Sequence, residues 1–198
     1  MKRFGILLTG YCAIGALVLP ALVRPAPRLV WNASASVPLG LYSARPASSV
    51  RVGDLVAAHA PAPVARLMAE RAYLPLRVPM LKHVAALAGH TVCRSGVIIS
   101  VDGRRLAEAR LRDRIGRPLP SWSGCRTLRA GEVLLLNPAS AGSFDGRYFG
   151  PVPMRGVVAV LHPLWLPGGG EPAPASASDG RETSPQPSPK EPRNDQNR

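Results

Sequence analysis

A serine in a turn of small residues and a solitary lysine in an apolar run are the residues of this 198-residue chain best suited to chemistry. The segment Asn32-Ala33-Ser34-Ala35-Ser36-Val37-Pro38-Leu39-Gly40-Leu41-Tyr42 puts Ser36 two residues before Pro38, with Gly40 beyond. Proline and glycine fix a turn that presents a hydroxyl and brings backbone N–H groups toward a substrate carbonyl, the makings of an oxyanion hole. Ser34 lies one strand period upstream and faces the same side. The lysine is Lys82, in Val78-Pro79-Met80-Leu81-Lys82-His83-Val84-Ala85-Ala86-Leu87. The chain has 22 arginines and three lysines; Lys2 flanks an N-terminal apolar segment and Lys190 lies in a polar tail, which leaves Lys82 alone. A desolvated lysine gives up its charge, whereas an arginine keeps it. A neutral Lys82 beside Ser36 makes a base and its nucleophile. Each segment also has a plainer reading: a common turn, and a lysine snorkelling from a strand edge. Asn32-Ala33-Ser34 fits a glycosylation sequon as well.

A third polar segment, Ser143-Phe144-Asp145-Gly146-Arg147-Tyr148-Phe149-Gly150-Pro151, brings Asp145 and Arg147 close enough for an ion pair across a turn. Taken alone it reads as a loop salt bridge of little energetic weight.

Elements able to position these residues read mainly as β. Val97–Val101 and Arg104–Ala107 flank Asp102-Gly103, a pair suited to the positive φ angles of a type I′ hairpin. Residues 51–58, 81–87, 131–136 and 156–161 are further short strands. Val64, Met68 and Ala72 recur at helical spacing, so one short helix is expected within Pro61–Ala72. Frequent prolines argue against long helices elsewhere.

Twenty uncharged residues, Phe4 to Val23, follow Lys2-Arg3 and approach the length that crosses a bilayer. The N-terminal charge favours an N-inside, C-outside orientation. An uncleaved anchor is favoured over a cleaved signal peptide, because no clear small-x-small site lies near Arg24. Both readings export the remainder, so Cys93 and Cys125 form an even pair in an oxidising compartment and are expected to bridge. His59, His83, His90 and His162 show no ligand spacing with these cysteines, so no metal site is expected. The expected layout is an anchor over residues 1–28, a catalytic domain over 29–166 and a disordered Pro/Ser-rich tail over 167–198. The formal charge of +13 raises nucleic acid or an anionic membrane as partners. The arginines are scattered and aromatics are few, which argues against a base-stacking surface; no nucleic-acid partner is expected.

Together the three polar segments resemble the signal peptidase superfamily of serine-lysine proteases, and most closely the TraF-like peptidases of conjugal transfer systems. Ser36 falls on the family's nucleophile, and Lys82 opens a segment with the spacing of its lysine box, usually Lys-Arg, four residues, then Pro-Gly-Asp. Ser143–Pro151 is similar to the box Ser-Phe-Asp-Ser-Arg-Tyr-Phe-Gly-Pro. Four positions depart: His83 stands for arginine, Ala88 for proline, His90 for aspartate and Gly146 for serine. Losing the aspartate and serine is expected to remove groups that support the lysine, with reduced or unusually pH-dependent activity. The resemblance implies strongly bent antiparallel sheets beside a bacterial inner membrane, with the catalytic domain facing the periplasm. It implies attack by Ser36, proton acceptance by Lys82, an oxyanion hole of the Ser36 N–H and Ser34 hydroxyl, and support from Ser143, Asp145 and Arg147. The implied substrate is an exported precursor, most specifically a conjugative pilin subunit released linear or cyclised. A general signal peptidase and a non-catalytic assembly factor of a secretion apparatus are the alternatives. A DNA-contacting protein is disfavoured by the export topology.

Overall fold

The computed structural model describes residues 2–23 and 28–167. The expected disordered tail therefore lies outside the described residues, apart from its first position. Helix α1 (Lys2–Val23) comes first, its run of apolar residues broken by Gly5, Thr9, Gly10 and Tyr11. Phe4, Ile6, Leu7, Leu8, Tyr11, Ile14 and Val18 are all exposed on it. Among the described residues no helix is long and apolar enough to cross a membrane, a correction to the expected transmembrane span.

The rest is mainly β, in two antiparallel sheets. The larger has seven strands: β1 (Leu29–Asn32), β2 (Gly40–Pro46), β3 (Leu55–Ala58), β4 (Met80–Ala86), β9 (Glu132–Leu136), β10 (Val152–Pro153) and β11 (Val157–Trp165). Their spatial order is β1-β2-β11-β3-β4-β9-β10, so the last strand of the chain is inserted between two early ones. The smaller sheet, ordered β7-β6-β5-β8, contains β5 (Thr91–Ser95), β6 (Ile98–Val101), β7 (Arg104–Glu108) and β8 (Gly124–Thr127). Strand β4 is apolar at nearly every position because β3 and β9 flank it and core covers it. One core packs Val56, Val84, Val133, Leu135 and Val160; a second packs Ala86, Val92, Ile99, Leu134 and Leu136. Leu134–Leu136 supply side chains to both, so β9 joins the two sheets through its alternating faces.

The expected hairpin forms: Asp102 and Gly103 take φ of 49° and 78° between β6 and β7. The expected helix is α2 (Ala62–Glu70), opened by Pro61 and burying Met68. Cys93 and Cys125 face each other across β5 and β8, with Cα atoms 4.0 Å apart, and are joined in a disulfide.

Candidate functional site

Ser36 sits in the turn between β1 and β2, where the strands close at the Asn32–Gly40 pair. One side chain organises this turn. Asn32 is buried, and its Nδ2 donates to the carbonyls of Ser34 (2.8 Å), Val37 (3.1 Å) and Pro38 (2.9 Å). Its Oδ1 accepts from the Ser34 amide at 3.0 Å and the Ser34 hydroxyl at 2.9 Å. Asn32 thus supplies the polar partners that a turn without regular pairing must find elsewhere. The Tyr42 hydroxyl adds a 2.6 Å bond to the Pro38 carbonyl, and Val37 packs into the core with Leu81. The Ser34 and Ser36 Oγ atoms lie 3.3 Å apart. With its amide nitrogen committed to three carbonyls, Asn32 is unfit for a glycan in the folded protein, which corrects the sequon reading.

Lys82 stands on β4 opposite Val56 and is only 4% exposed. Its Nζ donates to the Ser143 Oγ at 2.9 Å. Burial pushes its pKa down from 10.5 to about 8; the Asp145 charge opposes that fall and the Arg147 charge adds to it. An ammonium held this weakly loses its proton a little above neutrality. No hydrogen bond joins Ser36 to Lys82 among the described residues; the Ser36 hydroxyl meets Ser34 and the lysine meets Ser143.

The wall behind Lys82 is a closed polar network. Asp145 and Arg147 are 0% and 1% exposed, so theirs is a buried forked ion pair rather than the weak loop salt bridge that the segment alone suggests. Arg147 Nε and Nη2 donate to the two Asp145 oxygens at 2.9 and 2.8 Å. Arg147 Nη2 also donates to the carbonyls of Asn137 (3.1 Å) and Ser140 (2.7 Å), while Asp145 accepts the Asn137 amide at 3.0 Å. Asn137 carries this rigidity to the lysine strand. Its Nδ2 donates to the Leu81 carbonyl and its Oδ1 accepts the His83 amide, each at 3.1 Å, gripping β4 on both sides of Lys82. Arg94, also buried, donates to the Arg147 carbonyl from the smaller sheet.

Three of the four positions that depart from the family pattern fit their surroundings. His90 lies on an exposed edge, 2.6 Å from Asp102 Oδ2, and is not among the residues lining the cleft. A Cβ on Gly146 would fall 2.7 Å from Leu134 Cδ1 and 2.8 Å from the Leu135 carbonyl, so this packing has no room for serine. His83 bonds Asn137. Among the described residues no buried side-chain nitrogen or oxygen lacks a hydrogen-bond partner. The polar network is complete as it stands.

Ser34, Ser36, Lys82 and Ser143 all line one cleft of about 630 Å³, with Trp31, Met80, Tyr73 and Phe144 among its apolar and aromatic walls. The disulfide lies outside it, in the smaller sheet. Among the described residues no group of histidine, cysteine, aspartate and glutamate side chains is placed to hold a metal ion. A buried amine that deprotonates near pH 8 and the serine hydroxyls on a shared cleft can together move a proton and accept an acyl group. Asn32 and Asn137 do not stand out as site residues in the sequence. Each is a polar residue closing an apolar strand, and the sequon at Asn32 points to a different role.

Residues 1–165 match the family described as "Signal peptidase, peptidase S26". The chain is 35% identical over 176 residues to "Plasmid transfer protein TraF" of Escherichia coli, covering 83% of this chain and 98% of the relative. It is 35% identical over 142 residues to "Probable conjugal transfer protein TraF" of Sinorhizobium fredii (strain NBRC 101917 / NGR234), covering 65% and 72%. To "Conjugal transfer protein TraF" of Agrobacterium tumefaciens (strain 15955) it is 30% identical over 174 residues, covering 83% and 96%. Among solved structures, a signal peptidase I from Enterococcus faecalis V583 aligns with a TM-score of 0.35 at 19% identity, over 58% of this chain and 98% of that one.

Proposed function

Because the chain belongs to the signal peptidase family, peptidase S26, we propose that it is a serine endopeptidase with Ser36 as nucleophile and Lys82 as base. The observation that carries this reading is the buried Lys82 amine, lowered to about 8, in the cleft it shares with Ser36. In the reaction, Ser36 Oγ bonds to the scissile carbonyl carbon while its proton passes to Lys82 Nζ. The oxyanion is stabilised by the Ser36 N–H and by the Ser34 hydroxyl, which turns from Asn32 toward the new charge. The Lys82 ammonium then returns its proton to the departing amine, leaving an ester on Ser36 that water, or a substrate amine, resolves. Ser143 orients the amine of Lys82, and the Asp145–Arg147 pair holds the wall behind it. No metal or organic cofactor enters these steps.

The TraF relatives support a place in conjugal transfer; the substrate we propose to go with it is an exported pilin-like precursor. The exposed apolar side chains of α1 support association with the inner membrane, and the family supports a catalytic domain that faces the periplasm.

The decisive test compares wild type with Lys82→Arg on a pilin-like precursor as a function of pH. Wild-type processing should rise with pH through about 8 as Lys82 loses its proton. Lys82→Arg should be inactive at every pH in that range, since arginine keeps its charge. The folded value lies below the unfolded one, so between about 8 and 10.5 the folded chain binds fewer protons and this group's contribution to stability rises with pH. Equal processing by Lys82→Arg with an unchanged pH profile would remove the Ser-Lys mechanism. A folded wild type inert toward every exported precursor would favour a non-catalytic assembly factor.

A further inference from the structure

The cleft has one wall that the peptidase reading leaves unused. Between β7 and β8 the chain runs out along Arg110-Leu111-Arg112-Asp113-Arg114-Ile115-Gly116-Arg117, and all four arginines line the same cleft as Ser36. One aspartate stands against them, and it is fully engaged. Asp113 accepts from the Tyr73 hydroxyl and Arg117 Nε, each at 2.6 Å, and from the amides of Ile115 and Arg117. Those bonds, the Arg112–Pro118 bridge and an Arg117 bond to the Arg71 carbonyl give the segment a fixed shape.

Within that shape Asp113 and Arg117 neutralise each other, while Arg110, Arg112 and Arg114 remain exposed without a carboxylate among the described residues. Arg114 is the best placed of the three. A Cβ on Gly142 would lie 3.4 Å from its Nη2, so the guanidinium rests over the backbone next to Ser143, the acceptor of the Lys82 bond. A cation in a partly apolar cleft with no anion of its own is poised to take one from a ligand, and a guanidinium fork matches a carboxylate.

We propose that the Arg110–Arg117 segment is a specificity wall that selects substrate peptides carrying a carboxylate close to the bond to be cleaved, with Arg114 as its main contact. This rests on the peptidase reading of the cleft and adds the chemistry of the substrate to it. The carboxylate comes from an aspartate or glutamate side chain or from a free peptide C-terminus near the cleaved bond. Both present the same group to Arg114.

Binding tests this independently of cleavage. Full-length Ser36→Ala protein in detergent is titrated with fluorescein-labelled, alanine-rich decapeptides bearing glutamate, glutamine or lysine at the central positions. Each peptide is made with a free and an amidated C-terminus. The glutamate peptide should bind at least about tenfold tighter than the glutamine one, a ratio that corresponds to about 1.4 kcal/mol. That ratio should collapse toward one in Arg114→Gln and persist in Arg105→Gln, whose charge is paired with Glu108 outside the cleft. Arg114→Glu should reverse the preference toward lysine, a gain that unfolding would not produce. A preference tracking the free C-terminus rather than glutamate assigns the carboxylate to that source. Equal binding of all peptides, or a preference indifferent to Arg114, overturns the proposal, as does an Arg114→Gln effect confined to phosphatidylglycerol vesicles. Charge-selective binding by a protein whose wild type cleaves nothing would defeat the peptidase reading and with it the wall's role in cleavage, leaving Arg114 as a carboxylate contact.

Discussion

The Ser36 turn and the Lys82 wall are both polar loops at strand ends, each organised by an asparagine, yet they are built to different standards. Asn32 holds a turn on the outermost hairpin of the larger sheet, with Ser34 exposed and a single side chain as hub. Asn137 holds the interior strand β4, is itself held by Asp145 and Arg147, and the whole assembly is nearly free of solvent. A base must keep its desolvation to keep its shifted pKa, and desolvation tolerates little movement. A nucleophile must meet a substrate and let it go, which favours an edge. The difference fits the roles proposed for the two sides.

Perturbing each region tests that contrast. The largest effect on stability is expected for Arg147→Met, which strands a buried carboxylate. Unfolding free energy from denaturant titration should fall by about 3–5 kcal/mol. A drop within about 0.5 kcal/mol, typical of surface changes, would mean that the wall is not the rigid partner. Ser34→Ala should leave the denaturant midpoint nearly unchanged yet slow precursor processing by roughly 10²–10³, the usual consequence of losing one oxyanion donor. Wild-type turnover in this variant would take Ser34 out of the oxyanion hole. Asn32→Ala is the smallest and most local change. Loss of its buried bonds should cost about 1–3 kcal/mol, with amide exchange speeding up over residues 33–38 and not around Lys82. Exchange rising equally at both places would erase the distinction between the two regions.

Much of this is legible where the signal is local. Asp102-Gly103 announces its hairpin because few residue pairs accept two positive φ angles, and Pro61 with the Val64–Met68 spacing announces α2. Strands β5 and β8 escape because their character comes from pairing. Gly124–Thr127 is exposed throughout, carries no alternation, and is a strand through its register and disulfide with β5. The placement of β11 beside β2 is a long-range fact that periodicity does not encode. The candidate residues Ser34, Ser36, Lys82 and Ser143 stand out by type, but the grip of Asn137 on Leu81 and His83 depends on strand adjacency. Asp145–Arg147 looks weak in sequence because burial, which sets its importance, is invisible in a loop segment.

The insertion of β11 between β2 and β3 carries a last consequence. Strand β2 pairs with β1 and β11, so the strand pairing that ties the hairpin bearing Ser36 to the sheet of Lys82 runs through β11. At the seam, Gly40 packs against the Trp165 carbonyl so closely that no side chain fits between them. A chain shortened before Val157 loses that pairing and keeps side-chain packing, such as that of Val37 with Leu81, between its serine and its lysine. Arrival of Val157–Trp165 thus completes the sheet that holds the two halves of the cleft together.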